Sequence, residues 1–160
     1  MTVDAINRKV PWAALSAFAG LMALLAAIWL GPRLLAPPTA ASLATPADCD
    51  LSAGPCRAAA GESALTLMLN PRQPRALEPL QFQVRTEALD ADSISIVLEG
   101  RDMYMGYNRI ELQPSPADPV LWTGTGELAI CTTGEMIWLA RVEAGTAGGP
   151  ATARFEFSAR

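Results

Sequence analysis

Residues 64–86 have the sequence ALTLMLNPRQPRALEPLQFQVRT, in which two alternating apolar runs flank a stretch that contains three prolines. The apolar positions are two residues apart in both runs, with Leu65, Leu67 and Leu69 in the first and Leu80, Phe82 and Val84 in the second. Successive side chains of a β-strand point to opposite faces, so this spacing gives each run one apolar face. The stretch therefore predicts two half-buried strands joined by proline-containing turns.

Five further short runs of this kind follow, separated by turn sequences rich in Pro and Gly. With the first two, the predicted strands are residues 64–70, 80–86, 93–99, 108–113, 120–128, 136–143 and 151–158. About seven short strands with turn signals between them are typical of an antiparallel sandwich. The sequence therefore predicts an all-β, immunoglobulin-like β-sandwich over residues 63–160.

The N-terminal part of the chain is dominated by the uncharged run WAALSAFAGLMALLAAIWL at residues 12–30. At about 1.5 Å per residue, a helix of this length nearly spans the ~30 Å hydrocarbon core of a bilayer. We therefore expect a single transmembrane helix. Arg8 and Lys9 precede the run, and Arg33 is the only basic residue close to its other end. This asymmetry favours a cytoplasmic tail at residues 1–11 and a domain on the outer side.

Other interpretations of the apolar run remain open. A cleaved signal peptide is one, because residues 39–41 (TAA) offer a small-residue cleavage site, and a buried core helix is another. Between the run and the sandwich, residues 31–62 mix Pro, Ala, Ser and Thr and predict an extended linker. A composition rich in Ala, Gly and Pro, with one lysine, is typical of a G+C-rich bacterial genome. The predicted location is thus the bacterial inner membrane, with the linker and the sandwich in the periplasm.

Several classes of function are excluded by composition. The chain has no histidine, which removes imidazole zinc ligands and the Ser-His and Cys-His nucleophilic pairs. A net charge of −4 gives no electrostatic reason to bind nucleic acid. Four acidic residues, Asp102, Glu111, Glu127 and Glu135, do not form the paired carboxylates of a glycosidase. We therefore expect neither an enzyme nor a nucleic-acid-binding protein, and a carboxylate-only enzyme is the weakest alternative.

The chain has three cysteines, which cannot all pair within one molecule in an oxidising compartment. Cys49 and Cys56 lie close together in CDLSAGPC, where Gly54 and Pro55 can turn the chain, and they predict a disulfide. A bond from either of them to Cys131 is one alternative, and a redox-active or Cu(I)-binding pair is another. If Cys49 and Cys56 form the disulfide, Cys131 is a free thiol.

Sulfur-bearing side chains are concentrated in two short segments. Met103 and Met105 are two residues apart in RDMYMGYNR, so their thioethers point to the same side if that segment is extended. In CTTGEMIW, Cys131 and Met136 flank a turn at Gly134. Soft sulfur donors select Cu(I). The four side chains therefore predict a Cu(I) site, and their ordinary packing in the core is the alternative.

The order of a short tail, one apolar span and a small β-sandwich resembles that of the YtkA-like and FixH-like membrane-tethered periplasmic proteins. The resemblance covers residues 12–143 and rests on Met-x-Met-Gly at residues 103–106 and Gly-x-Met-x-Trp at residues 134–138. It implies a role in copper handling or haem-copper oxidase assembly, with a copper-accepting oxidase subunit as partner. Many copper carriers pair Met with His, and this chain has no histidine, so either its site is based on sulfur alone, with Cys131 in place of the imidazole, or it binds no metal. A metal-free module that docks onto a membrane complex is the alternative.

Overall fold

The computed structural model describes residues 12–35, 40–130 and 134–160. The chain divides into two compact units, with the division between residues 37 and 38. The first unit contains α1 (Trp12–Leu35), in which every side chain from residue 15 to residue 30 is exposed. Among the described residues, no helix combines the length and the apolarity needed to cross a bilayer. A helix thus lies where the sequence predicts one, but the structure does not identify it as a transmembrane helix.

The second unit, residues 38–160, is all-β, as the sequence predicts; we call it the β domain. Its strands are β1 (Ala41–Ser42), β2 (Cys56–Ala60), β3 (Ser63–Asn70), β4 (Leu80–Glu87), β5 (Ala91–Gly100), β6 (Asn108–Ser115), β7 (Asp118–Gly126), β8 (Met136–Thr146) and β9 (Ala151–Ala159). All seven predicted strands are present, as β3 to β9. The predicted number was wrong, because β1 and β2 lie within the residues assigned to the linker.

The strands form one continuous sheet in the order β1-β9-β8-β5-β6-β7-β4-β3-β2. β6 is shared by two layers, since residues 108–112 pair with β5 and residues 113–115 pair with β7. An antiparallel bridge between Ala44 and Ala59 links the segment after β1 to β2. The two edges of the sheet therefore meet, and the β domain is nearly barrel-shaped.

The core is built from the alternating positions that the sequence indicates. Leu65, Leu67, Leu69, Leu80, Phe82, Val84, Phe155 and Phe157 are all buried. Burying an aliphatic or aromatic side chain of this size stabilises a fold by roughly 1.5–3 kcal/mol. The apolar faces of the strands therefore supply the main favourable term in folding, as the alternation predicts.

The two ends of the β domain differ in what they carry. At one end the chain enters at Ala41, which pairs with Ala151 at the start of β9. At the other end, Gly100 lies opposite Trp138, and Met136 lies opposite Ala159. We call this second end, formed by residues 71–79, 101–107, 127–130 and 134–135 with the strand termini beside them, the methionine end.

Candidate metal site

The loop at residues 101–107 joins β5 to β6 at the methionine end, and it is held at both of its ends. The Arg101 N–H donates a hydrogen bond to the carbonyl oxygen of Ile137 on β8, at 3.0 Å. At the other end, the Asn108 side-chain amide donates to the carbonyl oxygen of Glu127, at 2.8 Å. The sequence places Met103 and Met105 on one side only if this segment is extended. In the structure the segment is a loop, so that condition is not met.

Gly100 is the point at which two methionine side chains meet. It has the same core-facing register on β5 as the buried Leu98. A Cβ added at Gly100 would lie 2.7 Å from Cε of Met136 and 2.9 Å from Cγ of Met105. The same Cβ would lie 2.5 Å from the carbonyl oxygen of Met103. Two thioether side chains, one from the loop and one from β8, therefore fill the space that a larger residue at position 100 would occupy.

The three methionines differ in exposure. Met105 and Met136 are partly buried and pack against the core, and Met136 continues the core-facing side of β8 that includes the buried Trp138. Met103 is 42% exposed. The structure thus brings Met105 and Met136 together, and it places the Met103 backbone beside them while leaving that side chain accessible.

Cys131, the fourth predicted ligand, lies outside the described residues. Within residues 12–35, 40–130 and 134–160, no group of three or more His, Cys, Asp or Glu side chains could hold a metal ion. In that part of the chain, a metal site at the methionine end would have to use the thioethers. Thioether sulfur suits Cu(I) better than harder divalent ions, so the donors that converge here fit the predicted metal.

A depression of about 490 Å³ opens beside the methionines and is lined by the loop from Glu99 to Tyr107. Tyr104 is 87% exposed and Tyr107 is 70% exposed, so neither ring covers the methionine pair. Trp138, the aromatic residue two positions after Met136, is buried and belongs to the core. The site is therefore open to solvent on the loop side.

Charged side chains next to the site are paired with one another. Arg141 contacts Glu99 at 2.8 Å, and Arg109 contacts Glu111 at 2.7 Å and Glu143 at 2.8 Å. The pKa of Arg109 is raised mainly by its hydrogen bond to Glu111, and the pKa of Arg141 is raised mainly by its hydrogen bond to Glu99. Both guanidinium groups thus stay protonated at every physiological pH. These ion pairs lie on the outer faces of β5, β6 and β8.

Gly100 is the site residue that sequence reasoning missed. Its signal was available, because the core-facing positions Ile94, Ile96 and Leu98 alternate and the next position in that register is a glycine. A glycine at the core-facing position of a strand often marks a close approach of other atoms. Here those atoms belong to the two methionines.

The predicted disulfide between Cys49 and Cys56 is confirmed, with the two Cα atoms 5.7 Å apart. Cys56 is the first residue of β2 and is fully buried. Neither cysteine therefore pairs with Cys131, and neither is a free thiol that could bind Cu(I).

No family model matches the sequence, and no curated protein matches it. Among solved structures, the chain is similar to a DUF4785 family protein from Legionella pneumophila, with a TM-score of 0.45 and 11% identity over 61% of this chain. The matched part is 28% of that protein's chain. A likeness at this level shows neither a shared family nor a shared function.

Proposed function

We propose that this chain is a copper(I)-binding protein that holds the ion through methionine thioethers at the methionine end and passes it to a partner. The observation that carries the proposal is the packing of Met105 and Met136 against the same point above Gly100. The two residues come from segments that are far apart in sequence. With no histidine in the chain, a copper site here is based on sulfur.

The exposure of the methionines suits transfer of the ion. Met105 and Met136 are held against the core and provide two fixed donors, and Met103 is an accessible third donor on the same loop. On the sequence argument, Cys131 adds a thiolate. A partner with a better donor set then removes the ion by exchanging ligands one at a time. No covalent bond is made or broken in the substrate, so the proposed protein is a carrier and not an enzyme.

The compartment and partner are part of the same proposal. The Cys49–Cys56 disulfide supports an oxidising compartment such as the periplasm. Anchoring to the inner membrane through α1 rests on the apolar sequence of residues 12–30 and on the resemblance to membrane-tethered periplasmic proteins. That resemblance also supports the immunoglobulin-like assignment of the β domain. The proposed acceptor is a copper-binding subunit of a respiratory oxidase.

The test is a Cu(I) titration of the full chain, without oxygen, against a competing Cu(I) chelator. The variants Met105→Leu and Met136→Leu remove one thioether each and nearly conserve volume. We expect each to weaken Cu(I) binding at least about tenfold, which corresponds to ~1.4 kcal/mol. The variant Cys131→Ser tests the fourth donor in the same titration.

The matched control is Met68→Leu, because Met68 lies on β3, which does not contribute to the methionine pair. We expect this variant to bind Cu(I) as tightly as the wild type. The proposal fails if Met105→Leu and Met136→Leu bind as tightly as the control.

A metal-free interaction module is the second candidate function, and the exposed rings of Tyr104 and Tyr107 favour it. Tyrosine is enriched at protein interfaces because its ring is apolar and its hydroxyl can form hydrogen bonds. This function predicts that the wild-type chain takes no Cu(I) from the chelator.

A further inference from the structure

The exposed apolar side chains of the β domain are concentrated at the methionine end. Outside α1, the large apolar or aromatic side chains that are exposed in the described residues are Leu77, Met103, Tyr104, Tyr107, Val120 and Ile130. All of these except Val120 belong to the loops of the methionine end. Val120 lies near the start of β7, towards the opposite end of the domain.

The loops that carry these side chains contact one another. The Leu77 N–H donates to the carbonyl oxygen of Leu128 at 3.0 Å, and Asn108, next to Tyr107, donates to the neighbouring carbonyl of Glu127 at 2.8 Å. Residues 127–130 therefore lie between Leu77 and Tyr107. Leu77, Met103, Tyr104, Tyr107 and Ile130 thus lie on neighbouring loops at one end of the β domain, and we call these five side chains the apolar cap.

The size of the apolar cap is close to what a stable interface needs. Leu77, Tyr107 and Ile130 are 60%, 70% and 61% exposed, and Tyr104 is 87% exposed. Since an aromatic side chain contributes roughly 150–250 Å², the apolar cap presents on the order of 600 Å². A standard interface buries about 800 Å² per partner. The polar side chains around the apolar cap can supply the remaining buried area.

Charged side chains around the apolar cap are balanced in sign. Exposed ion pairs among them are Arg75–Glu78 at 4.0 Å, Arg101–Asp102 at 3.5 Å and Arg160–Glu135 at 3.4 Å, and Arg101 also contacts Glu156 of β9 at 3.3 Å. With Arg72 and Glu127, which the same loops carry, four cations and four anions lie at this end of the domain. Such a rim can be complementary to itself, because a two-fold rotation can bring the cations of one copy to the anions of the other. The same balance gives no net attraction to an anionic lipid surface or to nucleic acid.

We propose that the apolar cap is covered by a second copy of this chain, in a two-fold symmetric dimer that buries Tyr104 and Tyr107 of both copies. The inference stands on the exposed side chains and their charged rim and does not require copper binding. If copper binds as proposed above, the dimer covers the site, and a partner reaches the ion only after the dimer dissociates.

The experiment is sedimentation equilibrium of the full chain in detergent, over a range of protein concentrations and with a metal chelator present throughout. We expect the wild type to show a monomer–dimer equilibrium. The double variant Tyr104→Ser/Tyr107→Ser should raise its dissociation constant at least about 100-fold, since central tyrosines are typical hot spots of an interface. Ile130→Ser should weaken the dimer in the same direction.

The matched control is Val120→Ser, which removes an exposed apolar side chain outside the apolar cap. We expect it to dimerise like the wild type. A wild type that is monomeric at every concentration overturns the inference. A double variant that dimerises as tightly as the wild type also overturns it, and so does a Val120→Ser control that weakens the dimer as much as the double variant. Because the apoprotein is measured, this inference and the copper proposal can each fail while the other stands.

Discussion

Gly100 is the residue on which the candidate site depends, because its missing side chain leaves room for Met105 and Met136. In Gly100→Ala, the new Cβ meets the Met103 carbonyl oxygen at 2.5 Å as well as the two side chains. A flexible methionine can rotate away from such a contact, but a backbone oxygen moves only with its loop. We expect the free energy of unfolding, measured by denaturant titration, to fall by about 1–3 kcal/mol.

Gly54→Ala is the control for this substitution. A Cβ at Gly54 has no neighbouring atom within 4 Å, and its backbone is not in the left-handed region. We expect a change within about 0.5 kcal/mol of the wild type. Equal losses in the two variants would show that crowding at Gly100 is not the cause. In the Cu(I) titration, Gly100→Ala should bind less tightly than Gly54→Ala.

Glu87 on β4 shows how a single ion pair sets a local titration. Its carboxylate accepts a hydrogen bond from Arg57 on β2 at 2.8 Å, and this bond lowers the pKa of Glu87 below its ordinary value. A carboxyl group whose pKa is lowered by folding stabilises the fold above its unfolded-state pKa, and that contribution is lost as the pH falls through the lowered value. We expect Arg57→Gln to raise the pKa of Glu87, as measured by an NMR titration.

Arg75→Gln is the control for the Glu87 titration, because Arg75 pairs with Glu78 and not with Glu87. It should leave the pKa of Glu87 unchanged. The hydrogen bond from Arg57 is not the cause of the low pKa if Glu87 titrates at the same pH in wild type and Arg57→Gln.

At the scale of elements, the disulfide fixes the entry of the chain into β2. Cys49 and Cys56 are separated by seven positions, and closing a loop of this size in the unfolded chain corresponds to about 2–3 kcal/mol. We expect reduction to lower the free energy of unfolding by that amount. The measurement compares oxidised and reduced Cys131→Ser, so that the third cysteine cannot exchange. A control without the bond, Cys49→Ala/Cys56→Ala, should show no effect of reductant.

The strands differ in how well the sequence indicates them. β4 and β9 place large apolar residues at alternate positions, and the contrast with their polar neighbours makes both strands visible in the sequence. β2 has the sequence CRAAA, and its buried positions are Cys56 and Ala58. Small side chains give little contrast in hydropathy, so the sequence predicts a linker where β2 lies. β1 has two residues, too few to show any alternation.

At the scale of the whole molecule, the candidate site was predictable in its chemistry and only partly in its geometry. The soft donors were evident from composition, since the chain has six methionines, three cysteines and no histidine. Their meeting depends on the pairing of β5 with β8, which places Gly100 opposite Trp138. Strand order is set by the packing of the complete sheet, so the local sequence of neither strand could reveal this pairing.

The sharing of β6 between the layers has a consequence for how the β domain comes apart. Residues 108–112 are bonded to β5 and residues 113–115 to β7, so the backbone of one strand crosses from one layer to the other. Separating the two layers at this point requires β6 to give up its pairs either with β5 or with β7. Because one continuous strand belongs to both layers, we expect the β domain to unfold as a single cooperative unit.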